Sequence, residues 1–115
     1  MKTITERGSI TISSELFAEI AGHVALRCVG VRGMAARSVA DGLVHVLKRE
    51  NTSRGVRVRD DENGLIIELH VIVRHGVNIV TVGQSIRDDV SYAVEKYTGV
   101  KPKRVDVCID SVMVN

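Results

Sequence analysis

Aromatic residues are nearly missing from this chain. Phe17, Tyr92 and Tyr97 make up 3% of its 115 residues, and there is no tryptophan. Platforms that stack single-stranded nucleic acid need several exposed rings, so the composition argues against that class. It also means that the core must be built from Val, Ile, Leu and Ala. Proline occurs once, at Pro102, and cysteine twice, at Cys28 and Cys108, far apart and without CxxC spacing. This argues against a disulfide-stapled scaffold. Neither sign of charge is in large excess. The formal net charge of +2 is too small to imply a polyanionic partner by itself. No apolar run approaches the about 20 residues that a membrane-spanning helix needs, and residues 1–10 lack the apolar segment of a signal peptide. The expectation is a cytoplasmic chain with no direct membrane insertion.

What is present is globular. A hydrophobic fraction of 44% and a charged fraction of 26% suit one folded domain over residues 1–115, large enough for a two-layer core. Gly8 to Ile12 alternates and reads as a short strand. Ser13 and Ser14 are N-cap candidates for a helix whose apolar stripe is Leu16, Phe17, Ile20, Ala21, Val24 and Cys28, with Gly30 as its stop. The stretch from Gly30 to Gly42, rich in small residues from Gly30 to Ala36, reads as a loop with tight backbone geometry. Val39, Leu43, Val46 and Leu47 suggest a second, weaker helix, interrupted by Gly42.

The rest of the chain is more sharply punctuated. Val56 to Arg59 alternates, the cluster 60–64 is a turn, and Leu65, Ile67, Leu69, Val71 and Val73 form the apolar face of a long strand. The two strands should pair as an antiparallel hairpin. Asn78 can cap a helix with a stripe of Ile79, Val82, Ile86, Val90, Ala93, Val94 and Tyr97, closed by Gly99 and Pro102. Val105, Val107 and Ile109 form the inner face of a last strand. Its phase changes after Asp110, which predicts a bulge or a fraying end. The order β-α-α-β-β-α-β, with one apolar face on most strands, predicts an α/β (α+β) two-layer sandwich. A mixed four-stranded sheet would carry its helices on one face.

Chemical constellations are weak. None of the four histidines, His23, His45, His70 and His75, is paired at helical spacing, and no HExxH or Cys/His cluster occurs. They read as surface or half-buried residues, and no metal or cofactor is expected. Asp60, Asp61, Glu62, Asp88 and Asp89 fall in a turn and on the wet side of a helix, where carboxylates are solvated rather than catalytic. Cys28 reads as a small buried hydrophobe, whereas Cys108 alternates with core positions and is expected to face outward. Gly30-Val31-Arg32-Gly33 is a GxxG motif, and its place after a helix and before a hairpin resembles the order of a KH domain. In KH domains such a loop admits a nucleic-acid backbone, which makes RNA binding through the Gly30–Gly33 loop the alternative reading. Lys48, Arg49, Arg54, Arg57 and Arg59 form one basic group, and Lys101, Lys103 and Arg104 another. Each reads as an edge or solvated face, or as a surface for an acidic partner.

A set of short motifs in order carries a family resemblance. Gly8-Ser9-Ile10, Gly30-Val31, Gly33-Met34, Gly55-Val56-Arg57-Val58, His75-Gly76-Val77-Asn78-Ile79, Thr98-Gly99-Val100 and Val105-Asp106-Val107 resemble the alkaline shock protein family of envelope stress-response proteins. The likeness runs from about Gly8 to Val114. It implies a bacterial, non-enzymatic, cytoplasmic protein without catalytic residues. Longer members of that family self-associate and sit at the membrane through an integral-membrane partner. Shorter ones are often encoded beside a fatty-acid or dihydroxyacetone-type kinase. The chain departs from the pattern at His75, where an aromatic residue is common, and in ending at Asn115 without the charged extensions of longer members. The short type is therefore favoured.

The function expected is a self-associating interaction protein of envelope homeostasis, bound to itself and to a membrane-anchored or kinase partner. Its expected contact surface is Val31, Arg32, Met34, Arg57, Arg59, His70 and Ile72. Ile66 and Ile72, apolar on the outer strand face, suggest that something covers that face.

Overall fold

The computed structural model describes residues 1–37, 44–47 and 49–114. Its elements are β1 (Lys2–Thr5), β2 (Gly8–Thr11), α1 (Ser14–Arg27), β3 (Val31–Arg37), β4 (Val44–Val46), a 3-10 helix (Arg49–Gly55), β5 (Val56–Asp61), β6 (Gly64–Arg74), α2 (Ile79–Thr98) and β7 (Arg104–Met113). The fold is α+β, with both helices on one face of a mixed sheet.

Local chemistry starts and stops the helices. Ser13 Oγ accepts the Leu16 N–H of α1, and Asn78 Oδ1 accepts the Thr81 N–H of α2. Gly99 ends α2 in the left-handed region at φ 78° and returns its N–H to Glu95 O. After α1, Gly30 turns the chain at φ 92°, where a Cβ would lie 2.9 Å from Val82 Cγ2. Both the dihedral and the closeness of α2 demand glycine there.

β6 is the spine of the sheet. β7 pairs with it in parallel along residues 66–74, so the two antiparallel neighbours share its other edge. β5 lies against residues 64–69 and β3 against residues 71–73. β4 extends the sheet by pairing with β3, and β1 and β2 form a separate hairpin. Leu65, Ile67, Leu69, Val71 and Val73 all face the helices and are buried with Phe17, Ala21, Ala25, Ile86, Val90 and Val94. Each such aliphatic side chain contributes about 1.5–3 kcal/mol on burial. The α1 stripe is rotated from the expected one. Ala18, Gly22 and Ala25 join Phe17 and Ala21 inside, while Leu16 is exposed.

Two expected elements are corrected. The stretch from Val31 is not a loop but β3, because Val31 and Met34 drop into the core beside Val73 and Val71. The GxxG motif is therefore partly strand, with Gly33 paired to Ile72. Among the described residues the motif leads from α1 into a strand and not to a second helix, so the KH-like reading loses its basis. In place of the second helix, Val44-His45-Val46 is a strand. Its β-branched alternation suits pairing with Ala35 and Ala36 better than a helix interrupted by glycine. Val39 and Leu43, assigned to that helix, lie outside the described residues.

Candidate functional site

The helix-free face of β6 carries its polar residues. With Ile67, Leu69 and Val71 turned to the core, period-two geometry turns Glu68 and His70 the other way. The parallel register then sets Cys108 of β7 beside His70 and Asp106 beside Glu68. A bulge falls where the sequence phase changes. Ile109 pairs with Val71 and Ser111 with Ile72, leaving Asp110 without a partner in the ladder.

His70 is held from both sides. Its Nδ1 lies 3.0 Å from Asp110 Oδ2 and its Nε2 3.0 Å from Glu68 Oε2. Donor atoms of Glu68, His70 and Cys108 all fall within 4.8 Å of one another. The Asp110 side chain is 10% exposed, while those of His70 and Glu68 are about a third exposed. The group lies in a groove of about 570 Å³, closed on the far side by Ala35, Ala36, Arg54, Gly55, Val56 and Arg57. Arg57 stands directly opposite Glu68 in the hairpin.

The His70 hydrogen bond holds the Glu68 carboxyl below its ordinary range, helped by the charges of His70, Arg57 and Arg59. Burial pushes the Cys108 thiol up, reinforced by Glu68, Asp110 and Asp106. The thiol is thus a poor nucleophile on its own. Cys28 is a different case. It is buried against α2, with Sγ 3.4 Å from Val24 O and 3.5 Å from Asp89 Oδ2. Burial and then Asp89 push it up to about 11. Both cysteines are free thiols.

The expected contact surface divides. Arg32, Arg57 and Arg59 are exposed and His70 is half-buried, but Val31 and Met34 belong to the core and Ile72 is 1% exposed. These three are corrected to interior positions. Ile72 was expected to signal a cover, and in the fold it is enclosed within the chain itself. Val46 of β4 reaches over Gly33, the ladder partner of Ile72, coming within 3.1 Å of where a Cβ on Gly33 would stand. Alternation along β6 turns His70 outward, but it does not bring His70 together with Glu68, Cys108 and Asp110, as the fold does. The outward phase of Cys108 was the available signal.

A second surface lies on the helical layer. Tyr92 and Tyr97, two of the three aromatic residues, are 63% and 71% exposed on α2. Lys96 Nζ sits 5.9 and 5.6 Å from their ring centres. An open groove of about 250 Å³ beside Tyr97 is lined by Leu16, Ile20, Val24, Glu19, His23 and Arg27.

Sequence relatives match nearly the whole chain. The uncharacterized protein YloU of Bacillus subtilis (strain 168) is 36% identical over 111 residues, covering 96% of this chain and 92% of that one. The uncharacterized protein Spy1614 of Streptococcus pyogenes serotype M6 is 29% identical over 115 residues, covering 99% and 95%. Among solved structures, a zinc form of a MamM CTD variant covers 88% of this chain and 85% of its own, at 17% identity and a TM-score of 0.49. That likeness is too slight to bear on fold or function. The model of the alkaline shock protein 23 family, described by its cell envelope-related function, matches residues 2–114. The chain belongs to this alkaline shock protein family, whose function is related to the cell envelope.

Proposed function

We propose that the chain serves the cell envelope as a non-enzymatic interaction protein that assembles with copies of itself through the outer surface of α1 and α2. The observation that carries this reading is the placement of Tyr92 and Tyr97. A chain with only three aromatic residues spends two of them in solvent. Rigid amphipathic rings of this kind are enriched at protein interfaces. The apolar floor beside Tyr97, made by Leu16, Ile20 and Val24, is rimmed by both signs of charge in Glu19 and Arg27 of α1, and a separate groove at Tyr92 is lined by Glu95 and Lys96 of α2. Mixed charge around an apolar centre suits a two-fold contact, in which the same patch must complement itself.

The non-enzymatic reading is supported by the open-face cluster, where both ring nitrogens of His70 are engaged by carboxylates and burial pushes the Cys108 thiol up. No helix among the described residues is long and apolar enough to cross a membrane. In this reading attachment to the envelope runs through a partner protein. Sedimentation equilibrium tests the self-association. The wild type is expected to dimerise in the micromolar range, and Tyr92→Ser with Tyr97→Ser to be monomeric with an unchanged circular dichroism spectrum. A wild type that stays monomeric at high micromolar concentration would overturn the reading.

A further inference from the structure

We propose that Glu68, His70 and Cys108 form a binding site for one divalent transition-metal ion of the zinc class, with Asp110 as the positioning residue behind the histidine. The site does not depend on the self-association reading and lies on the opposite face of the sheet. The donor set is the first argument. A carboxylate oxygen, an imidazole nitrogen and a thiolate sulfur on adjacent strands select zinc-like ions over calcium or magnesium, which take oxygen alone.

Geometry is the second. In a tetrahedral zinc site, neighbouring oxygen, nitrogen and sulfur donors stand roughly 3.3–3.6 Å apart. Glu68 Oε2 and His70 Nε2 are at 3.0 Å, and all three donors lie within 4.8 Å. In this proposal, rotation of side chains held on two paired strands brings the three donors onto one ion. The third argument is the support. With Asp110 accepting the Nδ1 proton of His70 in a hydrogen bond, an arriving ion displaces the proton that Nε2 shares with Glu68 and takes the Nε2 lone pair. This carboxylate–histidine arrangement is what orients metal-binding imidazoles.

Charge also balances. A dication meets one carboxylate and one thiolate, the thiol proton being released to solvent, so the ion and its two anionic donors are together neutral, and Arg57 lines the same groove opposite Glu68. Three protein donors leave a fourth position facing the groove, open to water or to a ligand from another molecule. A purely structural carboxylate–histidine–carboxylate triad would have no use for the thiol, and the test turns on this difference.

The test is a spectroscopic titration of untagged, reduced, chelator-stripped protein with Co²⁺. The expected result is saturation at one ion per chain. Sulfur-to-cobalt charge transfer should appear in the near ultraviolet and strong tetrahedral bands in the visible. Zn²⁺ should bleach both, and Mg²⁺ or Ca²⁺ in excess should not. Cys108→Ser should lose the charge-transfer band and Cys28→Ser keep it. His70→Gln should bind at least about tenfold more weakly, and Asp110→Asn about 10- to 100-fold more weakly with the charge-transfer band retained. Circular dichroism checks that each variant is folded. No saturable absorption in the wild type overturns the proposal. So do bands that survive in folded Cys108→Ser and His70→Gln, or that disappear in Cys28→Ser.

Discussion

The two faces of β6 are made by the same eleven residues and have opposite characters. Leu65, Ile67, Leu69, Val71 and Val73 are sealed under two helices, whereas Glu68 and His70, between them, stand in an open groove. The covered face has only aliphatic side chains and no polar group to satisfy. The open face holds four chemistry-bearing side chains from two strands within reach of one another. One face specifies the fold and the other is free to specify a ligand. This separation can be broken experimentally, because a substitution on one face should leave the other's property untouched.

The largest effect belongs to the covered face. Leu69→Ala empties a fully buried position and should cost about 2–5 kcal/mol in urea unfolding. Comparable stability in the variant would show that the helices do not seal this face. Next comes the pH response of Cys28, also on the covered side. Its folded value is raised to about 11 from the ordinary 9.0, so the folded state holds the proton more tightly. That contribution is complete below pH 9 and is lost as pH rises toward 11. It amounts to about 2–3 kcal/mol at 1.36 kcal/mol per unit. Denaturation midpoints at pH 8.5 and 11 should therefore fall less in Cys28→Ala than in the wild type, and equal falls would contradict the burial argument. The smallest effect belongs to the open face. Glu68→Gln removes one partner of a pair a third exposed to water and should change stability by less than about 1 kcal/mol without metal.

Much of this could be read from residue order. The β5–β6 hairpin, both caps of α2 at Asn78 and Gly99, and the irregularity at Asp110 follow from local patterns, since turn residues, caps and period two act over a few positions. The strand nature of Val31 to Arg37 could not. Gly33, Ala35 and Ala36 carry weak strand preference, and what makes them a strand is the burial of Val31 and Met34 against β6. Val44 to Val46 was hidden for a related reason, as its pairing partner is itself that unexpected strand. The site was half legible. His70 and Cys108 could each be turned outward by alternation, but their meeting depends on the parallel register across α2, which no local pattern encodes.

The most direct test of this division of labour is unfolding with and without Zn²⁺. An ion that binds only the folded chain stabilises it by about 2.7 kcal/mol at a hundredfold excess over its Kd. Zn²⁺ is expected to raise the urea midpoint of the wild type and to raise that of folded His70→Gln by about half as much or less. An unchanged wild-type midpoint, or an equal rise in His70→Gln, would contradict the assignment of the open face as a metal site.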